Sequence, residues 1–124
     1  MTHSATIEVT YDARIHGFIV SMPAIITLAA IEAWREQLWQ RITDSPADRS
    51  CRLLIDTNQH QFESIACIKA LRDALEDPRV ADRCERAAFV APARYRQPQI
   101  VSEREGYFNS VEAAYAWLER DPAP

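Results

Sequence analysis

Glycine is scarce in this chain of 124 residues, which contains only Gly17 and Gly106. Enzymes that bind nucleotides through a P-loop or a Rossmann turn need clustered glycines, because their backbone must approach the phosphates closely. The scarcity of glycine therefore argues against both classes. No serine or cysteine stands in a recognisable nucleophile elbow either. We accordingly expect a protein that is not an enzyme.

Cysteine is also rare, and its three copies are widely spaced at Cys51, Cys67 and Cys84. An odd number at irregular intervals fits neither a disulfide framework nor a zinc knuckle. The histidines are equally scattered and show no metal-ligand spacing; they are His3, His16 and His60. We expect no metal, no cofactor, three packing cysteines and a reducing cytoplasm as the compartment.

A basic surplus and long apolar runs are both absent. The formal net charge of −4 and the isoelectric point near 5.3 argue against a nucleic-acid-binding module. No stretch approaches the roughly 18 apolar residues of a transmembrane helix, so no membrane insertion is expected. The amino-terminal residues also lack a signal-peptide pattern. The composition, 48% hydrophobic and 26% charged, favours one folded domain over 1–124, with frayed ends at 1–5 and 121–124.

Alternating apolar and polar residues predict strands near the amino terminus. Ile7–Tyr11 and Ile15–Met22 would form an antiparallel hairpin with a turn at Asp12–Arg14. Thr27 then caps a predicted helix. The apolar face of that helix carries Leu28, Ile31, Leu38 and Ile42, with Trp34 and Trp39 on or beside it.

Short apolar strands and amphipathic helices alternate in the rest of the chain. Leu53–Ile55 is typical of a strand buried on both faces, and Arg86–Ala91 is another apolar run that predicts a central strand. The helix between them ends near Asp77-Pro78. Its predicted buried face carries Ile65, Ile68, Leu71 and Leu75.

Two further helices are predicted after the last strand. The first is short and spans Gln99–Gly106. The second is capped by Asn109 or Ser110 and carries Val111, Ala114, Tyr115 and Leu118 on one face. The resulting order, β-β-α-β-α-β-α-α, predicts an α/β fold with a mixed sheet, parallel central strands, an amino-terminal antiparallel hairpin and about four helices.

The element order and the ending Tyr107-Phe-Asn-Ser-Val-Glu-Ala-Ala-Tyr-Ala-Trp-Leu118 resemble the SpoIIAA-like branch of the STAS superfamily. The ending is similar to the family's Phe, then Glu-Ala, then Trp-Leu signature, and the resemblance covers nearly the whole chain. It implies a single STAS-like domain that regulates or binds without catalysis. Anti-sigma-factor antagonists of this superfamily dock on a kinase partner, and the SpoIIAA-like branch has been linked to lipid-binding folds.

The antagonists carry a phosphorylatable serine just inside the helix after the third strand, within a Phe-x-Asp-Ser sequence. Aligned without a gap, Phe62-Glu-Ser-Ile65 puts Ser64 at the family's aspartate and Ile65 at its phospho-serine. The resemblance therefore argues against phosphorylation of the usual kind, although a shift of one residue would make Ser64 the target. From the residues alone, we expect the Ser64 hydroxyl to cap the helix, which is worth about 1 kcal/mol.

Open α/β sheets bind ligands at the carboxyl edge of their strands. Two predicted segments reach that edge, Asp56 to Ser64 and Ala93 to Gln97, and we call them the rim. The candidate ligand-binding or partner-binding residues of the rim are Asp56, Asn58, His60, Ser64, Arg94, Tyr95 and Arg96. The arginines, with Arg104 further along the chain, suit a carboxylate or phosphate. Pairing with Glu103 and Glu105 on a solvated loop would also explain them.

Three functions follow from these patterns. The leading hypothesis is a non-catalytic regulatory or binding module that contacts a protein partner or a small anionic ligand at the rim. A carrier of a lipid or another apolar small molecule would need a cavity lined by Trp and Ile. An enzyme using Asp56, His60 and an arginine would need the first two within hydrogen-bond reach. A homodimer through the open edge of the first strand is a further hypothesis.

Overall fold

The structure is a computed structural model that describes residues 7–44, 51–57, 61–91 and 99–120. The ends predicted to fray, 1–5 and 121–124, lie outside these ranges. The described elements follow in the order β1 (Glu8–Asp12), β2 (Gly17–Ser21), β3 (Ile25–Ile26), α1 (Leu28–Asp44), β4 (Cys51–Asp56), β5 (Gln61–Phe62), α2 (Ile65–Glu76), α3 (Pro78–Ala81), β6 (Cys84–Val90), β7 (Gln99–Ile100), β8 (Glu105–Phe108) and α4 (Val111–Glu119).

Six of the described strands form one mixed sheet in the order β1-β2-β4-β6-β8-β7. Strands β2, β4, β6 and β8 are parallel neighbours, while β1 and β7 run antiparallel at the two edges. Strands β3 and β5 make a separate parallel pair. The predicted α/β fold, with a parallel centre and an amino-terminal antiparallel hairpin, is confirmed.

Helices cover both faces of the sheet. On β4, Leu53 and Ile55 pack toward α1, α2 and α3, whereas Leu54 packs toward α4. All three side chains are buried, as expected of a strand covered on both faces. The three tryptophans were predicted to lie in or beside the core. Trp34 and Trp117 are buried, and Trp39 is half-buried beneath the Arg79 guanidinium.

Helix α1 begins where its sequence predicts. The Thr27 hydroxyl oxygen accepts a hydrogen bond of 3.1 Å from the Ala30 N–H, which satisfies one of the free donors of the first turn. The buried face of α1 comprises Ala30, Ile31, Trp34, Leu38 and Ile42. Leu28 was predicted on that face but lies at the helix end and is 40% exposed. Helix α4 is capped in the same way by Ser110, which accepts from the Ala113 N–H.

The segment Gln99–Gly106, predicted as a helix, is instead part of a β-hairpin. Strand β7 pairs with β8 through Gln99 and Tyr107, and the turn closes with a hydrogen bond from the Val101 N–H to the Glu105 carbonyl. Strand β8 also extends the sheet by pairing with β6. Backbone pairing with β6 is a contact distant in sequence, and it outweighs the weak local preference for helix.

The buried face of α2 also differs from the prediction. Cys67, Leu71 and Ala74 are buried and Leu75 is half-buried, whereas Ile65 is 84% and Ile68 is 43% exposed. Both stripes have helical spacing, so periodicity does not distinguish between them. Packing against α1 and the sheet selects the stripe that contains Cys67.

Candidate functional site

The structure places two of the predicted rim residues at the carboxyl edge of the sheet. Asp56 is the last residue of β4, and Ser64 immediately precedes α2. The other five candidates lie outside the described residues; they are Asn58, His60, Arg94, Tyr95 and Arg96. A pairing of Asp56 with His60 and an arginine-lined anion site therefore stay predictions.

The chain leaving β4 is tied to the neighbouring strand. Asp56 is in register with Ser21 of β2 and Val90 of β6. The next residue, Thr57, donates both its backbone N–H and its hydroxyl to the Val90 carbonyl, at 2.9 and 2.8 Å. These bonds fix the direction in which the backbone leaves the sheet at the rim.

The strand pair β3–β5 connects the starts of α1 and α2. The Gln61 N–H donates to the Ala24 carbonyl at 3.0 Å, and the Glu63 N–H donates to the Ile26 carbonyl at 2.9 Å. Helix α1 starts two residues after β3, and α2 starts three residues after β5. The amino-terminal ends of the two helices are therefore held side by side.

Ser64 stands at the cap position of α2 without capping it through its side chain. Its backbone is extended (φ −157°, ψ 166°), but its hydroxyl lies 3.6 Å from the Cys67 sulfur instead of bonding a backbone N–H. The Cys67 N–H donates to the Ser64 carbonyl at 3.1 Å. The predicted hydroxyl cap is wrong, because the local turn satisfies that donor through the main chain and turns the hydroxyl toward sulfur.

Four apolar side chains are exposed at this end of the molecule, and we call them the apolar rim. They are Ile25 (58% exposed), Leu28 (40%), Ile65 (84%) and Ile68 (43%). Leu28 begins α1, Ile65 and Ile68 lie in the first turn of α2, and Ile25 lies in β3, just before α1. Leu28, Ile65 and Ile68 were predicted on buried helix faces, and only the packing of the helices shows that they face solvent.

A cleft of about 260 Å³ opens at the opposite edge of the sheet, near the starts of β6 and β8. Arg72 lines it and donates to the Tyr107 hydroxyl at 2.9 Å, and Tyr107 stacks on Phe89 with ring centroids 5.1 Å apart. The hydrogen bond to Tyr107 raises the pKa of Arg72 above its usual value. The cleft is lined by Arg72, Leu75, Glu76, Ala81, Cys84, Ala87, Phe89, Ser102, Arg104 and Glu105.

Arg104 belongs to this cleft and not to the rim. It immediately precedes β8, which runs parallel to β6, so it lies at the amino edge of the sheet. Its guanidinium donates to the backbone carbonyls of Ala81 and Cys84, the latter at 3.1 Å. Arg104 therefore lies at the opposite edge of the sheet from Asp56, and its guanidinium bonds backbone carbonyls there.

The chemistry of the cleft does not favour an apolar ligand. Two arginines and two glutamates line it, and charged groups lose solvation when an acyl chain covers them. Within the described ranges, no group of three or more His, Cys, Asp or Glu side chains could hold a metal ion. In the same part of the chain, no helix combines the length and apolar character needed to span a bilayer.

Comparison with solved structures identifies the fold. An anti-sigma-factor antagonist (STAS) domain protein from Planctomyces limnophilus superposes with a TM-score of 0.60 at 15% identity, over 93% of this chain and 98% of the other. An uncharacterized DUF3478-family protein with a SpoIIAA-like fold from Shewanella loihica PV-4 gives 0.59 at 14% identity, over 95% and 96%. No family model matches the sequence, and no curated protein matches it. The chain has the SpoIIAA-like fold of STAS domains.

Proposed function

We propose that this protein, which has a SpoIIAA-like fold, is a non-catalytic regulatory module that binds a partner protein through the apolar rim. The exposure of Ile65, 84% in the first turn of α2, is the observation that carries the proposal. Ile25, Leu28 and Ile68 add apolar surface at the same ends of the two helices. Exposed groups of this kind are typical of interaction surfaces, because burying them in a complex is favourable.

The surroundings of the apolar rim favour a protein over a small apolar ligand. Gln61, Glu63 and Ser64 are exposed polar residues next to the apolar side chains. An apolar centre with a polar border is typical of protein interfaces. The hydrogen bonds from Gln61 and Glu63 to the β3 segment hold the two helix ends together, so the surface is preorganised for docking.

The position of Ile65 suggests how such binding differs from that of phosphorylated antagonists. The resemblance places Ile65 where the antagonists carry their phosphorylatable serine, and an isoleucine cannot accept a phosphoryl group. The fold shared with the Planctomyces limnophilus antagonist domain supports a role in protein binding. We therefore propose a permanent apolar contact at Ile65, which phosphorylation of that position does not control.

The experiment places a photo-cross-linking amino acid at Ile65 in the protein's own host and identifies the attached protein. The purified partner is then titrated against wild type and Ile65→Asp. Burying an isoleucine contributes roughly 1.5 to 3 kcal/mol. Since about 1.4 kcal/mol corresponds to tenfold in affinity, we expect Ile65→Asp to weaken binding at least tenfold.

Ala66→Asp is the matched control for this experiment. Ala66 is also exposed in the first turn of α2, so it receives the same charge near the same helix terminus. An acidic residue is favourable there, and both variants should fold. Equal weakening by both substitutions, or the absence of any attached protein, would contradict the proposal. A cross-link to a second copy of this chain would instead identify the apolar rim as a homodimer interface.

A further inference from the structure

Cys51 and Cys84 begin the neighbouring parallel strands β4 and β6 and are partners in their register. Adjacent strands lie about 4.8 Å apart. This separation falls inside the range of roughly 4.4 to 6.8 Å that disulfides span between Cα atoms. The two thiols also lie close enough that each shifts the pKa of the other. The fold has therefore brought together two cysteines that are 33 positions apart in the sequence.

The backbone is irregular at this pair. Cys51 is in register with Cys84, but the next residue, Arg52, is in register with Arg86, so Glu85 is an extra residue in β6. A bulge of this kind bends a strand locally and interrupts its ladder. The starts of β4 and β6 can therefore adjust by a small distance without moving the regular part of the sheet.

One member of the pair, Cys84, is also accessible from solvent. Cys84 lines the open cleft of about 260 Å³ and is half-buried, whereas Cys51 is 6% exposed behind it. Cys67 differs in both respects, because it is fully buried in α2 and contacts Ser64. A small oxidant can therefore reach Cys84 through the cleft, with Cys51 beside it, while Cys67 is shielded.

We propose that Cys51 and Cys84 are a redox modification site, which hydrogen peroxide converts into an intramolecular disulfide. A thiolate of the pair attacks one peroxide oxygen, the O–O bond breaks, and the released hydroxide takes up the proton lost on ionisation. The resulting sulfenic acid is attacked by the second thiol, its S–O bond breaks, and hydroxide leaves with the thiol proton as water. Two thiols lose two electrons, and peroxide becomes two waters.

The electrostatics of the pair support this reactivity. The neighbouring side chain of Cys84 lowers the pKa of the Cys51 thiol, and the nearby positive charge of Arg83 acts in the same direction. The neighbouring side chain of Cys51, together with burial, raises the pKa of the Cys84 thiol. One sulfur of the pair is therefore ionised more readily than an isolated thiol, and the thiolate is the form that attacks peroxide.

The test uses the purified full chain, treated with hydrogen peroxide, denatured, alkylated and digested with trypsin. We expect a disulfide between the tripeptides 50–52 and 84–86, because arginines stand at positions 49, 52, 83 and 86. The number of free thiols should fall from the three of the sequence to one and recover with dithiothreitol. This measurement on wild type does not depend on whether a variant folds.

Three variants test which cysteines form the disulfide. Cys67→Ala should still form the bond, whereas Cys51→Ser and Cys84→Ser should not form it and should instead accumulate a sulfenic acid that dimedone traps. Unchanged thiol numbers after peroxide would overturn the proposal. A disulfide that involves Cys67, or one that joins two chains, would overturn it equally.

Discussion

A β-carbon added to Gly17 would lie 1.8 Å from the carbonyl oxygen of Arg52. The two residues are partners in the register of β2 and β4, at the start of the parallel centre of the sheet. Gly17 therefore allows a close approach of two backbones, which no side chain would permit. One of the two glycines of this chain is thus required by strand packing and not by a ligand.

Gly17→Ala should accordingly be strongly destabilising. The clash is with backbone atoms, so β2 and β4 must separate, and we expect a loss of about 3 kcal/mol or more in the free energy of unfolding. Gly106→Ala is the control, since its β-carbon would meet the movable Phe108 ring at 3.0 Å. For Gly106→Ala we expect a loss of about 1 kcal/mol in the free energy of unfolding. Urea unfolding of both variants measures the difference, and the reverse ranking would contradict the packing described.

Ile65 and Leu71 test which stripe of α2 belongs to the core. Ile65 is 84% and Leu71 is 4% exposed, although both fit the predicted helical face. We expect Ile65→Ala to change the free energy of unfolding by less than about 0.5 kcal/mol. Leu71→Ala should cost roughly 2 to 5 kcal/mol, because it leaves a cavity. Chemical denaturation compares them, and similar losses would show that Ile65 is also packed in the core.

Tyr115 provides a pH-dependent test of how α4 is attached. Its hydroxyl donates to the Asp12 carboxylate at the end of β1, and burial, followed by this bond, raises the pKa of Tyr115 from 10.0 to about 12. The folded state therefore holds the proton more tightly than the unfolded state. The protonated Tyr115 hydroxyl therefore contributes fully to the free energy of unfolding below pH 10, and this contribution is lost as the pH rises toward 12.

Tyr115→Phe should cost about 1 kcal/mol at neutral pH. The difference in unfolding free energy between wild type and this variant should shrink as the pH rises from 10 to about 12. Denaturation curves across that range measure it. Tyr11→Phe, at a ring that is 52% exposed, is the neutral-pH control and should change stability by under about 0.5 kcal/mol. A difference in unfolding free energy that grows with pH would show that folding does not raise the pKa of Tyr115.

The rim illustrates the limits of local patterns. The end of β4 at Asp56 and the start of α2 after Ser64 follow from the apolar run and from the helical spacing. The orientation of the Ser64 hydroxyl does not, because a backbone carbonyl and a hydroxyl compete for the same N–H in that turn. Ile65 was likewise compatible with a buried or an exposed position until α2 was packed against α1.

Strands β1, β2, β4 and β6, helices α1, α2 and α4, and the caps at Thr27 and Ser110 follow from residues that are close together in the chain. Periodicity and capping act over a few residues, so the amino-acid sequence alone is sufficient for them. The pairing of β7 with β8, the exposure of Ile65 and the meeting of Cys51 with Cys84 needed the folded chain. Each depends on contacts between segments that are distant in the sequence. The energies of these contacts outweigh local conformational preferences, and no pattern of neighbouring residues predicts them.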